Sequence, residues 1–140
     1  MKKHYISISI IAIIFFSFIL YKNFISNNEF KKKKTIQVDG KYNIGKRIYE
    51  KYCSSCHDKK MIEYATAPPL GGITKRRNKE WLYSYTRNSY QMYKDGDSIA
   101  IKLRSENFGL MTSFPMLNNN KLDAVYYYIE KEYEKNKNTE

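Results

Sequence analysis

Cys53-Ser54-Ser55-Cys56-His57 is the stretch on which the reading of this chain turns. Two cysteines three positions apart, with histidine directly after the second, form the arrangement that attaches a haem covalently and supplies one axial iron ligand. On one helical turn the two thiols lie on the same side of the backbone. Both then reach vinyl groups of one porphyrin, and the adjacent imidazole is carried beneath the iron. Other uses of a cysteine pair fit less well. A thioredoxin-type dithiol needs a surrounding strand and helix pattern that is not evident. A structural zinc site needs four protein ligands, and the chain offers no further cysteine and one further histidine, His4. An incidental pair or an unrelated disulfide is the bland alternative.

Outward from the motif, the 140 residues leave room for one small domain and a leader. The net charge is +11, and residues 40–140 carry 18 basic against 12 acidic side chains, so the domain is less basic than the whole. Such a surface steers a protein toward acidic partners or anionic membranes. No Arg-rich helix or stacking motif accompanies it, which argues against nucleic acid. A domain of roughly a hundred residues has a marginal core, and a covalently held ring adds a large apolar filling.

At the N-terminus, Lys2 and Lys3 precede an apolar run from Tyr5 to Tyr21. As a helix it would span roughly 26 Å, near the lower limit for crossing a hydrocarbon core. No Ala-x-Ala-like site follows Leu20, so residues 1–25 read as an uncleaved membrane anchor rather than a removed signal. Either role exports the domain, although Lys31 to Lys34 lie on the side that a positive-inside count would keep in the cytoplasm. Residues 26–40 read as a charged, solvated linker, and the polar stretch from Lys22 to Asp39 would reach roughly 60 Å if extended. The haem domain is expected over residues 41–136, with a tail at 137–140.

Within the domain the periodicities are helical. Asn43 is placed to cap a helix with Ile44, Ile48 and Tyr52 along one row, running straight into the haem motif. Gly45 on that helix suggests close approach by another element, because glycine there gives up about 1 kcal/mol relative to alanine. The natural partner is a last helix from about Asn118 to Lys135, in which Leu122, Val125, Tyr126, Ile129 and Tyr133 follow the 3.6-residue period. Between them, Ala67-Pro68-Pro69-Leu70-Gly71-Gly72 is a rigid loop. A helix capped by Asn78 buries Trp81, Leu82, Tyr85 and Ser89 or Met92. Asp97 or Ser98 opens a short helix through Leu103, and Gly109 to Pro115 is a loop. Nothing alternates with period two, so the domain reads as all-α.

The order of these parts resembles class I cytochrome c, a family of small helical electron-transfer proteins with one haem, over roughly Gly40 to Tyr133. The resemblance rests on Gly45 and Tyr49, the haem motif, the Pro-x-Leu-x-Gly-like loop, a methionine loop, and a last helix with Tyr128-Ile129. The Trp81-Leu82 helix with Arg87-Asn88-Ser89 and the Gly96-Asp97 break also resemble cytochrome c modules of Bacteroidetes respiratory chains. The resemblance implies a small helical domain wrapped around one covalently attached haem c. Cys53 and Cys56 would form the thioethers and His57 the proximal iron bond. Pro68 would offer its carbonyl to the other ring nitrogen of His57, and Leu70 would pack on the ring. Met111, before an aromatic residue, a proline and the last helix, would be the sixth ligand, with Met116 as the nearest competitor. Thr112 stands where the family commonly has proline.

His and Met ligation closes both axial positions, which favours electron transfer over catalysis. The expected function is a membrane-tethered or periplasmic electron carrier between a quinol-oxidising complex and a terminal oxidase, and not an enzyme. The alternatives are a fixed haem subunit of such a complex and a haem enzyme or gas sensor with an open distal side. Lys59, Lys60, Lys75, Arg76 and Arg77 either surround the haem edge to dock an acidic partner or form a solvated face.

Overall fold

The computed structural model describes residues 2–137, and their side chains outside 2–13, 34–36 and 107. Five α-helices follow in order, α1 (Lys2–Tyr52), α2 (Ile73–Arg76), α3 (Lys79–Lys94), α4 (Ser98–Leu103) and α5 (Asn119–Asn136), with a π-helical turn at Arg104–Phe108. Among the described residues there is no strand. The chain divides into two compact units, Met1–Asp39 and Gly40–Glu140.

The first unit is helical throughout its described length. The stretch 22–39, read as a solvated linker without apolar periodicity, is therefore wound as helix. That stretch contains no proline or glycine and is rich in lysine, whose unbranched stem loses little freedom in a helix. As helix it rises roughly 27 Å rather than 60 Å. Its described side chains are solvated, as expected. Further up, Phe15, Phe16, Phe18 and Leu20 are all exposed. Among the described residues no helix is long and apolar enough to cross a membrane. Residues 5–13 of the apolar run lie outside the residues whose side chains are described.

In the second unit α1 continues to Tyr52, so Asn43 sits inside a helix and caps nothing. A cap needs a non-helical entry, and no breaker stands immediately before it. α3, α4 and α5 are capped, by Asn78 as expected, by Asp97 rather than Ser98, and by Asn118 rather than Asn119. The Oδ1 atoms of Asn78, Asp97 and Asn118 accept from the N–H groups of Trp81, Ala100 and Lys121 at 2.7, 2.8 and 3.0 Å.

The core lies between α1 and α5. Tyr49 is 1 % exposed, Leu122 0 % and Ile129 2 %, and the rings of Tyr49 and Tyr128 approach to 5.4 Å. Each such side chain contributes about 1.5–3 kcal/mol by leaving water. Gly45 is what lets the helices meet, since a methyl group there would run into the Ala124 carbonyl and the Tyr128 Cβ. At the other end of α5, Gly71 faces the Tyr133 ring with equally little room, and its N–H donates to the Met61 carbonyl at 2.8 Å. These contacts hold the proline loop against the last helix.

Candidate functional site

α1 ends at Tyr52 and the haem motif follows as a hydrogen-bonded turn, with the His57 N–H donating to the Cys53 carbonyl at 3.0 Å. That one closed turn brings Cys53, Cys56 and His57 to the wall of a single deep cavity of about 580 Å³, within the ~300–1,000 Å³ usual for ligand pockets. Both cysteines are free thiols, Cys53 partly buried and Cys56 exposed. Burial pushes the Cys53 thiol up to about 12, so it stays protonated.

His57 is buried, and its Nδ1 lies 2.8 Å from the Pro68 carbonyl oxygen. A carbonyl only accepts, so Nδ1 carries the proton and Nε2 keeps its lone pair. Burial lowers the imidazole below its ordinary range, against the opposing pull of the Pro68 bond. The side chain is therefore neutral near pH 7, the form that ligates a metal.

Leu70 and Met111 line the same cavity as His57, Pro68 and the two cysteines. Met116 does not: it is 54 % exposed and lines a separate surface recess beside Arg87 and Asn118. Met61 is fully buried in the core, and Met92 lies outside the cavity. Of the basic residues, Arg76 and Arg77 reach the cavity wall, whereas Lys59, Lys60 and Lys75 are exposed and away from it. Arg76 Nη2 lies 3.5 Å from the Pro69 carbonyl.

Sequence reasoning passed over several cavity residues. Thr86 Oγ1 lies 2.6 Å from the Tyr126 hydroxyl and donates to the Leu82 carbonyl at 2.8 Å. Burial pushes the Tyr126 phenol up to about 12. The four-residue step from Leu82 to Thr86 was the available signal. Phe108 and Tyr64, stacked with centroids 5.7 Å apart, bring the π-helical turn and the loop after His57 together at the cavity wall. No periodicity announces that contact.

The cavity suits a haem. Its walls are largely apolar, two thiols stand on a single turn, and His57 and Met111 line the same space. Among the described residues no group of three or more His, Cys, Asp or Glu side chains could hold a bare metal ion.

An all-α domain closed around one deep apolar cavity, with Cys-x-x-Cys-His in its wall, defines a haem-c-binding domain. The family model described as Cytochrome c matches residues 42–132, and the chain belongs to the cytochrome c family. Among solved structures it is similar to cytochrome c from Rhodothermus marinus, at 23 % identity and a TM-score of 0.60, covering 69 % of this chain and 80 % of that one. An engineered cytochrome c from the same organism, Rma TDE, matches at 23 % identity and 0.58 over the same shares. Bound to a carbene intermediate, Rma TDE matches at 22 % and 0.56, again over 69 % and 80 %. No curated protein matches. The chain thus binds a covalently attached haem c with its iron, the cofactor through which this family transfers electrons.

Proposed function

We propose that this protein is a one-electron carrier whose haem iron is held between His57 and Met111, tethered to the outer face of the plasma membrane by its N-terminal helix. The single observation behind this reading is that His57, aligned by Pro68, and Met111 line one cavity, whereas Met116 lines another. A haem bound there would supply an iron able to take up and give back one electron. The chain's own residues do the rest. Cys53 and Cys56 each add their S–H across one vinyl double bond and fix the ring. The Pro68 carbonyl holds the His57 proton on Nδ1 and makes Nε2 a stronger donor. Leu70, Val125 and Ile129 exclude water, which disfavours the more highly charged ferric state and raises the potential. With His57 and Met111 both given to the iron, little room would be left for a substrate there, which favours a carrier over an enzyme.

Residues 1–25 serve as the anchor in this reading, 26–40 as a spacer, 41–136 as the haem domain and 137–140 as a tail. The described run from Ile14 to Tyr21, exposed and apolar except at Ser17, supports the anchor, because a helical stretch that is apolar all round is otherwise found buried. The partners are redox proteins, a quinol-oxidising complex as donor and a terminal oxidase as acceptor. No nucleic acid is involved.

The test is an absorption spectrum of the purified, exported protein. The oxidised form is expected to carry the weak sulfur-to-iron band at the red edge of the visible range. Met111→Ala removes it and Met116→Ala leaves it. A band that survives Met111→Ala overturns the ligand assignment, and a protein released from membranes by salt alone overturns the anchor.

A further inference from the structure

α3 is not one continuous helix. At Asn88 the backbone leaves the helical region, with φ −152° and ψ 64°, and the helix restarts under the Asn88 side chain, whose Oδ1 accepts from the Gln91 N–H at 3.2 Å. Helix breaks have identifiable causes, and neither proline nor glycine stands here to supply one.

What the break supplies is two hydrogen-bonding groups turned toward residues 111–114. Just before it, the Thr86 carbonyl accepts from the Phe114 N–H at 2.9 Å. Just after it, the hydroxyl of Ser89, at 0 % exposure, donates to the Met111 carbonyl. The Ser113 hydroxyl lies 3.4 Å from that of Ser89. Both ends of the Met111–Phe114 stretch are therefore bonded to α3, one on each side of the break. Neither bond uses the side chain of Met111, which lines the cavity.

We propose that the break in α3 is the mooring of the methionine loop and that Ser89 is a positioning residue. Its bond to the Met111 carbonyl holds the thioether over the cavity and sets how readily an outside ligand displaces it from iron. This rests on the assignment of Met111 as sixth ligand. A methionine side chain has three rotatable bonds, so its sulfur is placed only as well as its own backbone is fixed. The segment from Gly109, at φ 72°, to Ser113 contains no regular structure of its own that could do so. Ser89 and its partners are the buried polar groups that bind it down.

The experiment is an imidazole titration of the oxidised holoprotein, together with the intensity of the sulfur-to-iron band, for the unaltered protein, Ser89→Ala, Asn88→Ala and Met111→Ala. Ser89→Ala is expected to bind imidazole about five- to tenfold more tightly, the size set by one net hydrogen bond, and to lose part of the band. Asn88 is exposed, so Asn88→Ala tests the break without disturbing the core, and a shift of about two- to threefold in the same direction is expected. If Met111→Ala binds imidazole far more tightly while Ser89→Ala stays within twofold of the unaltered protein, the positioning role is overturned and the ligand assignment stands. If Met111→Ala changes neither readout, both fall. Should Ser89→Ala not take up haem, Asn88→Ala decides, and an unchanged affinity there overturns the mooring.

Discussion

The Nδ1 of His57 lies 2.8 Å from the carbonyl oxygen of Pro68, a bond between the haem-attachment turn and the rigid loop eleven residues further on. It fixes the tautomer, holds the plane of the ring, and pushes electron density toward Nε2. Each of these consequences can be measured.

Pro68→Gly frees the loop and loosens that bond while leaving Cys53 and Cys56 to hold the haem. With His57 as the proposed iron ligand, a less electron-rich imidazole would stabilise the ferric state less. The reduction potential is therefore expected to rise by about 40 mV, the one-electron equivalent of a hydrogen bond worth about 1 kcal/mol. Equilibrium redox titration reads the shift, and a fall in potential would contradict this account of the bond.

Gly45→Ala tests the crossing of α1 and α5. Alanine gains about 1 kcal/mol of helix propensity, but its methyl group would overlap the Ala124 carbonyl and the Tyr128 Cβ, both on the body of a helix that cannot shift alone. Overpacking of this kind costs about 1–3 kcal/mol. Guanidinium unfolding of the holoprotein should show a lower midpoint with an unchanged slope. A raised midpoint would mean that the two helices have room to separate.

Asp123 receives the Lys79 ammonium at 2.8 Å and the Tyr83 hydroxyl, and these partners hold its carboxyl below the ordinary carboxylate range. A depressed folded-state value contributes stability that is fully present above the unfolded value of 3.8 and is lost as pH falls through the lower, folded one. Asp123→Asn should therefore flatten the acid limb of the stability-against-pH curve below about pH 4. The Asp123 side chain is 35 % exposed, so solvent screens the pair and the effect at neutral pH is small. An acid limb identical in the two proteins would exclude this contribution.

The parts that could be read in advance are those written in local chemistry. Cys53 to His57 announce their ligand by spacing, the Asn78, Asp97 and Asn118 caps sit one residue ahead of their helices, and Gly45 signals a close neighbour because glycine inside a helix needs a reason. The parts that could not be read depend on contacts distant in sequence. The break at Asn88 is visible only with Met111 and Phe114 in place beside it. The stacking of Tyr64 on Phe108 pairs a loop with the π-helical turn, and no period connects them. The helical course of residues 22–39 was missed because a polar run lacking apolar periodicity resembles a loop, although its residue types favour helix. Asn43 misled for the opposite reason, since a good capping residue says nothing about whether the chain before it is already wound.

α5 is the last described element, yet Val125, Tyr126 and Ile129 on it line the same cavity as Cys53. A growing polypeptide that has just exposed its two thiols thus has no chamber to receive a ring. It must wait for more than seventy further residues to emerge before the two sides can meet. Contacts so remote in sequence form late. Stitching of the porphyrin therefore meets an open, unfinished chain or competes with its closure.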